Sequence, residues 1–464
     1  MYYPSTGNWN QYNRLNLALF GNLETLHFRD TSYGNLSAST LFEIKHEYEY
    51  LKSENDPNYK DHLKNLVLDM FVTKINFNHT FENVEIQDTV HNKKLNFSFL
   101  SGNTIKNLRV HSKIELIEGS TKDINIENIY FDFSKDEYTS IPQDISRNGW
   151  SAPSQNASVY TITNNVYFNN EQFGSDLIFE NEKVIQDGAF ILNKKIESVI
   201  IRGNVEKIGK KAFFGCTKLK TLKIIGNVKE IGAGAFYNCP IENIEIYDSF
   251  NKIGNGAFDL RGVSTNITIE NGCKYVGASN NPYLFFVGFA DDIPEEIHFN
   301  IRCKSITNKS LDKKVSKLFF DEHIMSVPYD GINNNGSRYF DVDYLVWNCS
   351  CSLPSCFKVG TFEFSPNLTS IRFDDWFIDD LYIPTNTQLR EFKHDGCSIK
   401  NLRIPSIGVW EQIFEKATST YELPTSSHTF VNGVEVSYGT LEIPEGIEKI
   451  DSAYYHSDIN EITI

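Results

Sequence analysis

The chain has 464 residues, 40% of them hydrophobic and 13% aromatic, and a net charge of -16. That composition supplies a large apolar core, and no window approaches the run of about 18 apolar residues that a membrane-spanning helix needs. The acidic surplus disfavours a nucleic-acid groove, whose affinity rests on Lys and Arg neutralising phosphates, and is read as serving solubility.

The opening residues, Met1-Tyr-Tyr-Pro-Ser-Thr-Gly-Asn-Trp-Asn-Gln-Tyr-Asn13, have no basic start and no apolar stretch, so no secretory leader is expected. Residues 1–20 are read as an aromatic, Asn-rich arm that either docks on a larger assembly or folds back on the first coil. From 21 to 150, short alternating words recur: Leu26-His-Phe28, Ile75-Asn-Phe77, Val84-Glu-Ile86, Leu95-Asn-Phe97, Leu108-Arg-Val110 and Ile124-Asn-Ile126. Alternation with period two describes strands with one buried side. Between the first two words, Thr40 to Leu51 and His62 to Phe71 carry helical spacing broken by Asn55-Asp-Pro57-Asn. They predict a small helical hairpin inserted near residues 40–72. Ile141 to Ser158, with Pro142, Gly149 and Pro153, reads as a linker and a subdomain boundary. Residues 151–183 then form the linker and a first turn.

Residues 184–270 repeat themselves. Ala189-Phe190, Ala212-Phe213, Ala235-Phe236 and Ala257-Phe258 follow at steps of 23, 23 and 22 residues. A constant period of this size means one supersecondary unit stacked on copies of itself. Leu222-Lys-Ile224 and Ile244-Glu-Ile246 are its strands, Ala allows close approach of coils, and Phe fills the space between them. Gly209, Gly232 and Gly254, each after an Ile, are expected at turns that need positive φ.

The unit, apolar-x-x-Ile-Gly-x-x-Ala-Phe-x-x-Cys-x-x-Leu-x-x-Ile-x-Ile, resembles the BspA-type leucine-rich repeat, with Cys216 and Cys239 at the family cysteine. A weaker echo closes the chain, Leu441-Glu-Ile443 to Ile464, where Tyr454 replaces Phe and Asp451 replaces Gly. Phe430-Val-Asn-Gly433-Val434-Glu-Val436 is similar to inserts in such proteins from gut bacteria and their viruses. The resemblance implies a mainly β leucine-rich-repeat solenoid with short parallel strands, and a role in binding or adhesion. Its core would hold Phe190, Phe213, Phe236, Phe258, Cys216 and Cys239.

Residues 271–464 read as degenerate repeats with loop insertions and a C-terminal repeat. Their strand words are Leu318-Phe-Phe320, Tyr344-Leu-Val346, Phe362-Glu-Phe364, Ile371-Arg-Phe373, Leu381-Tyr-Ile383 and Leu402-Arg-Ile404. Asn333-Asn-Asn-Gly336 is a loop, and Val409 to Ala417, with Trp410, Ile413 and Phe414, a short amphipathic helix. One stack and two stacks joined near residue 150 fit these words equally.

Stacked strands would place the residues between buried positions in lateral rows about 4.8 Å apart. One row is Ile200, Lys223, Glu245, Thr268, and its neighbour is Ser198, Thr221, Asn243, Asn266. These eight form the candidate binding face, with Lys223 beside Glu245 as an opposite-charge pair.

Cys349, Cys351 and Cys356 leave three readings: reduced core thiols, a disulfide, or a metal site completed by His394 and Cys397. The missing leader favours reduced thiols. Catalytic motifs are absent: there is no His-Glu-x-x-His, Walker loop or Gly-x-Ser-x-Gly. Gly232-Ala-Gly234 and Gly254-Asn-Gly256 recur at one place in successive repeats, so turn geometry explains them. Asp374-Asp375 and Asp379-Asp380 could flank a glycosidic bond, but acidic pairs are common in a chain with 60 Asp and Glu. The nine Asn-x-Ser/Thr words, including Asn35, Asn78 and Asn367, are read as chance.

The expected function is therefore non-enzymatic: a structural or interaction protein using a solenoid surface, first of all a bacteriophage virion component. The alternative is a bacterial or protist cell-surface adhesin, and a solenoid-type glycan hydrolase ranks third. Protein partners, assembly into an oligomer and no cofactor are expected, with the virion as location and the cell surface or cytoplasm as alternatives.

Overall fold

In a computed structural model of the chain the described residues are 14–16, 24–27, 42–45, 64–69, 72–75, 80–87, 94–111, 114–121, 123–143, 159–163, 165–308, 310–311, 313–328, 340–410, 413, 426–436, 440–442 and 461–463. They form two compact units, residues 1–228 and 229–464, dividing inside the regular repeats.

In the first unit, Thr25–His27, Asn65–Asp69, Thr80–Gln87, Thr104–Val110, Asn125–Phe131 and Val166–Phe168 pair side by side in parallel. Parallel neighbours require a long return connection. Both Thr104–Val110 and Asn125–Phe131 bury three apolar residues of seven, with two residues between the first and second and one between the second and third. The shorter strands Asp176–Phe179, Ser198–Ile201 and Thr221–Ile224 continue in parallel register.

On the far side of these short coils the Ala-Phe pairs form the packing seam. Phe190 and Phe213 are fully buried and stacked, ring centroids 5.3 Å apart with planes 10° from parallel. The Cys216 thiol donates to the Phe190 carbonyl at 3.2 Å. In the second unit Phe236 stacks on Phe258 in the same manner, at 5.4 Å and 13°, and Cys239 is buried.

The glycines of this seam serve a different constraint from the one expected. Gly209, Gly232 and Gly254 do not take positive φ; the residues just before each Ala do, namely Gly188, Lys211, Gly234 and Gly256, at φ 68°, 54°, 64° and 64°. A Cβ on Gly209 would lie 2.5 Å from the Asp187 nitrogen, and one on Gly254 only 2.3 Å from the Ala233 nitrogen. These positions are glycine because the preceding coil's backbone leaves no room for a Cβ.

The second unit has a long sheet of its own. Glu296–His298, Val315–Phe320, Phe340–Trp347, Phe357–Phe364, Phe377–Tyr382, Ser398–Ile404 and Ser426–Val431 run in parallel, and Val434–Val436 returns antiparallel from the last. That return turns at Asn432 and Gly433, both at positive φ, so the insert-like word Phe430–Val436 is a β-hairpin. Behind the sheet, Trp347 and Trp376 are completely buried, and Trp376 stacks on Phe357 at 4.8 Å while its indole N–H donates to the Pro354 carbonyl at 2.7 Å. The C-terminal echo contributes Thr440–Glu442 and Glu461–Thr463, paired in parallel; Tyr454 and Asp451 lie outside the described residues.

Where it is described, the helical hairpin expected near residues 40–72 shows strands and no helix: Phe42–Lys45, Asn65–Asp69 and Val72–Ile75. Leu66 and Leu68 are both fully buried, with the period of a strand, and pair with Val84 and Ile86 of the next coil. Tertiary pairing overrides the local spacing. Helix is sparse elsewhere among the described residues. Lys135–Thr139 starts with a capping box in which the Ser134 hydroxyl accepts from the Glu137 N–H and the Glu137 carboxylate from the Ser134 N–H. Ile407–Trp410 overlaps the helix expected at Val409 to Ala417, of which Ile413 is also described. The head of the expected linker is packed, since buried Gln143 donates to the Tyr138 hydroxyl at 2.8 Å and the Ala189 carbonyl at 3.0 Å. The remainder of the linker, the loop at 333–336 and most of the N-terminal arm lie outside the described residues.

Candidate binding faces

Of the eight residues expected on a binding face, the first unit brings four together. Ser198 pairs with Thr221 and Ile200 with Lys223, all four half-buried, and Asp176 and Ile178 extend the two rows backward. Beside them is a shallow depression lined by Asp136, Ile178, Glu180, Asn181, Glu182 and Arg202. Its carboxylates are engaged: Glu182 accepts from Lys135 at 2.8 Å and from the N–H of Glu180 and Asn181, and Arg202 pairs with Glu180.

Asn243 and Glu245 are exposed on Asn243–Ile246, at the start of the second unit. Thr268 departs from the expected row. Its strand, Ile267–Glu270, belongs to another sheet and pairs antiparallel with Cys273–Ala278, Thr268 opposite Tyr275. The chain turns back into a meander there, so Ile267 and Ile269 face outward, 36% and 60% exposed. Asn266 is an exposed turn residue at positive φ.

A better ordered face, missed by sequence reasoning, lies on the long sheets. In the first unit, Asn65, Asn83, Asn107 and Asn128 pair in register across four strands. Each amide donates to the preceding amide oxygen: Asn83 to Asn65 at 2.8 Å, Asn107 to Asn83 at 3.1 Å, Asn128 to Asn107 at 3.1 Å. One row over stand Glu85, Arg109, Tyr130 and Tyr167. The Tyr130 and Tyr167 rings stack at 4.5 Å, the Arg109 guanidinium sits 5.8 Å above Tyr130, and Asp132 holds that guanidinium at 2.7 Å. Burial would raise the Asp132 carboxyl, but Arg109 and His111 outweigh it and hold its pKa below the usual value. Asp132 thus contributes stability above the ordinary carboxyl pKa, and loses it as pH falls through the lowered folded value.

The second unit repeats the arrangement. The row Glu363, Tyr382, Arg403, Phe430 runs across four strands, and Arg403 lies 5.4 Å from the Tyr382 ring and 4.6 Å from that of Phe430. Asp380 takes the Arg403 guanidinium at 2.7 Å and the Asn401 amide at 3.2 Å. One signal could have found both faces: Ile-Lys-Asn-Leu-Arg occurs twice, at Ile105–Arg109 and Ile399–Arg403.

The remaining candidates for chemistry do not converge. Asp374 is paired with Arg372 at 2.8 Å on Ser370–Asp374, in a different sheet from Asp379 and Asp380. Gly234 and Gly256 are turn residues, as noted above. Of the three readings of the cysteine cluster, the disulfide holds at Cys349 and Cys351, two residues apart, in place of the favoured reduced thiols; Cys349 sits in the apolar core. Cys356 is buried and outside that disulfide, and burial pushes the half-buried Cys397 thiol up to about 11. Among the described residues no three His, Cys, Asp or Glu gather as a metal ion would require, and no helix is long and apolar enough to cross a membrane.

Stacked parallel coils, stacked Phe seams and outward rows in register define a leucine-rich-repeat solenoid, mainly β. Residues 183–284 match the BspA type leucine rich repeat region in six copies, so this part of the chain is a repeat region of that type. No curated protein matches the chain. Among solved structures, a leucine rich cell surface protein from Faecalibacterium prausnitzii A2-165 is similar at 14% identity and a TM-score of 0.24, the alignment covering 78% of this chain and 84% of that one. A leucine-rich repeat protein from Eubacterium ventriosum ATCC 27560 is 16% identical with a TM-score of 0.24, over 60% of this chain and 86% of that one.

Proposed function

We propose that the chain is a non-enzymatic interaction protein, an adhesin acting at a cell surface through the outward rows of its parallel sheets. The single observation that carries this reading is the pair of long-sheet faces, each with side chains fixed in register and facing solvent. Repeat solenoids use such extended faces for recognition, and the BspA type match favours the adhesin over the virion component expected first. Against the hydrolase, Asp374 and Asp380 are each engaged by an arginine and lie in separate sheets, which does not suit an acid-base pair across a glycosidic bond.

Gold-labelled antibody to the chain, imaged on producing cells and on particles shed by them, tests the reading. Label is expected on cell envelopes. Label confined to virions would return the protein to a phage particle, and an envelope-free cytoplasmic signal would remove the adhesin.

A further inference from the structure

We propose that the Arg109 and Arg403 faces are two binding platforms of one chemistry, one in each unit, and that their ligand is a neutral polysaccharide. This inference rests on the adhesin reading and names its ligand class.

Each platform is a flat outward surface of rings and a guanidinium. In the second unit Arg403 is sandwiched between Tyr382 and Phe430, and Tyr382 is 40% exposed. In the first, Arg109 caps the stacked Tyr130 and Tyr167 pair and is held from a second side by the Asn170 amide oxygen at 2.9 Å. Cation-π contact and ion pairing fix these side chains before any ligand arrives, which lowers the entropy lost on binding.

The charge at each platform selects among ligands. Both guanidinium groups are already matched by a carboxylate, Asp132 at 2.7 Å and Asp380 at 2.7 Å, and the chain as a whole carries -16. A phosphate or sulfate group would have to compete with Asp132 and Asp380 for the two guanidinium groups, so nucleic acids and sulfated glycans are disfavoured. A protein partner would use the same Tyr, Phe and Arg, but its interface core is depleted of Asp and Glu, whereas these platforms carry Glu85 and Asp132 in one unit and Glu363 and Asp380 in the other. A neutral sugar chain meets both features: its apolar C–H faces lie against the rings, and its hydroxyls reach carboxylate and amide acceptors at the edge, where Asp380 and Asn401 stand one row from Tyr382. A polysaccharide also offers the same unit many times, which suits a chain that presents the same platform twice.

Electrophoresis of the full chain through gels cast with soluble mannan, xylan or β-1,3-glucan, with heparin as the anionic control, tests this. At least one neutral polymer should retard the chain and heparin should not. Tyr382→Ala and Tyr130→Ala should each weaken retardation about five- to tenfold and the double variant abolish it, with unchanged thermal melting to show that both fold. The proposal is overturned if no neutral polymer retards the chain, if heparin does so instead, or if the double variant runs like the parent. Should labelled cells still bear the protein while neutral polymers fail, the ligand class falls and the adhesin stands; absence from the envelope would sink both.

Discussion

Two stretches of the first unit hold the same kind of stack together by different means. The coils around Asp176–Phe179, Ser198–Ile201 and Thr221–Ile224 have four-residue strands and rely on a seam of stacked rings and Cβ-less backbone. Those around Thr80–Gln87, Thr104–Val110 and Asn125–Phe131 have seven or eight residues per strand and add an amide ladder on the outside. A coil can thus obtain its neighbour contact from side-chain volume at a few obligatory positions, or spread it over a longer run of backbone pairing that tolerates many sequences.

Substitutions can break that contrast. The largest effect is expected at Phe213, fully buried and stacked on Phe190. Phe213→Ala should cost about 3–5 kcal/mol in urea unfolding, the range for a buried ring whose cavity cannot close. A cost below that of an ordinary exposed substitution would mean the ring seam does not hold the short coils.

Next comes Gly209. Gly209→Ala places a Cβ 2.5 Å from backbone atoms of Gln186 and Asp187, and backbone cannot swing aside as a side chain can. A loss of about 1–3 kcal/mol is expected from the overpacking. Gly408→Ala, inside the helix Ile407–Trp410 and with nothing within 4 Å of the added atom, should raise stability slightly, by about 0.5 kcal/mol. Equal behaviour of the two variants would refute the close-approach account of the seam.

These two positions also show why some of the molecule was legible in sequence and some was not. Ala212-Phe213 repeats at a fixed step because both residues answer one steric demand, and a solenoid could be read from that alone, its leucine-rich-repeat type only from the resemblance of the whole unit. Gly209 and Gly254 were visible as glycines, but a residue type does not say whether it answers a positive φ or a missing Cβ; the φ requirement fell instead on Lys211, Gly234 and Gly256. Leu66 and Leu68 sat in a stretch whose spacing suited a helix, and only pairing with Val84 and Ile86 settles their period. The rungs Asn65, Asn83, Asn107 and Asn128 stand 18, 24 and 21 residues apart, too irregular for a search by period. Ser198 and Thr221 could be placed in one row because their coils are regular, while the face with the arginine platforms was hidden by coils of unequal length.

The ladder supplies the third test. Asn107 both donates to Asn83 and accepts from Asn128, so Asn107→Ala breaks two rungs at once. Its half-buried position and access to water limit the loss to about 1 kcal/mol. If the long coils depend chiefly on backbone pairing, Asn107→Leu should cost no more than Asn107→Ala. A penalty approaching that of Phe213→Ala would erase the distinction between the two stretches.

The smallest effect runs in the other direction. Lys211 occupies the position that is glycine in three of the four Ala-Phe turns, at φ 54°, and its side chain is buried with the ammonium 5.5 Å from the Phe214 ring. Left-handed backbone strains any residue with a Cβ, and burial lowers the Lys211 pKa below the usual lysine value. Lys211→Gly relieves both and loses stem packing and chain stiffness, for a net gain of about 0.5 kcal/mol at pH 7. The sign of the pH dependence separates the contributions. The unfolded lysine binds its proton more tightly than the folded one, so the parent recovers stability as pH rises through the lowered folded value toward the unfolded one, and the advantage of Lys211→Gly should shrink there. An advantage that stayed constant across that window would assign the gain to the backbone turn alone.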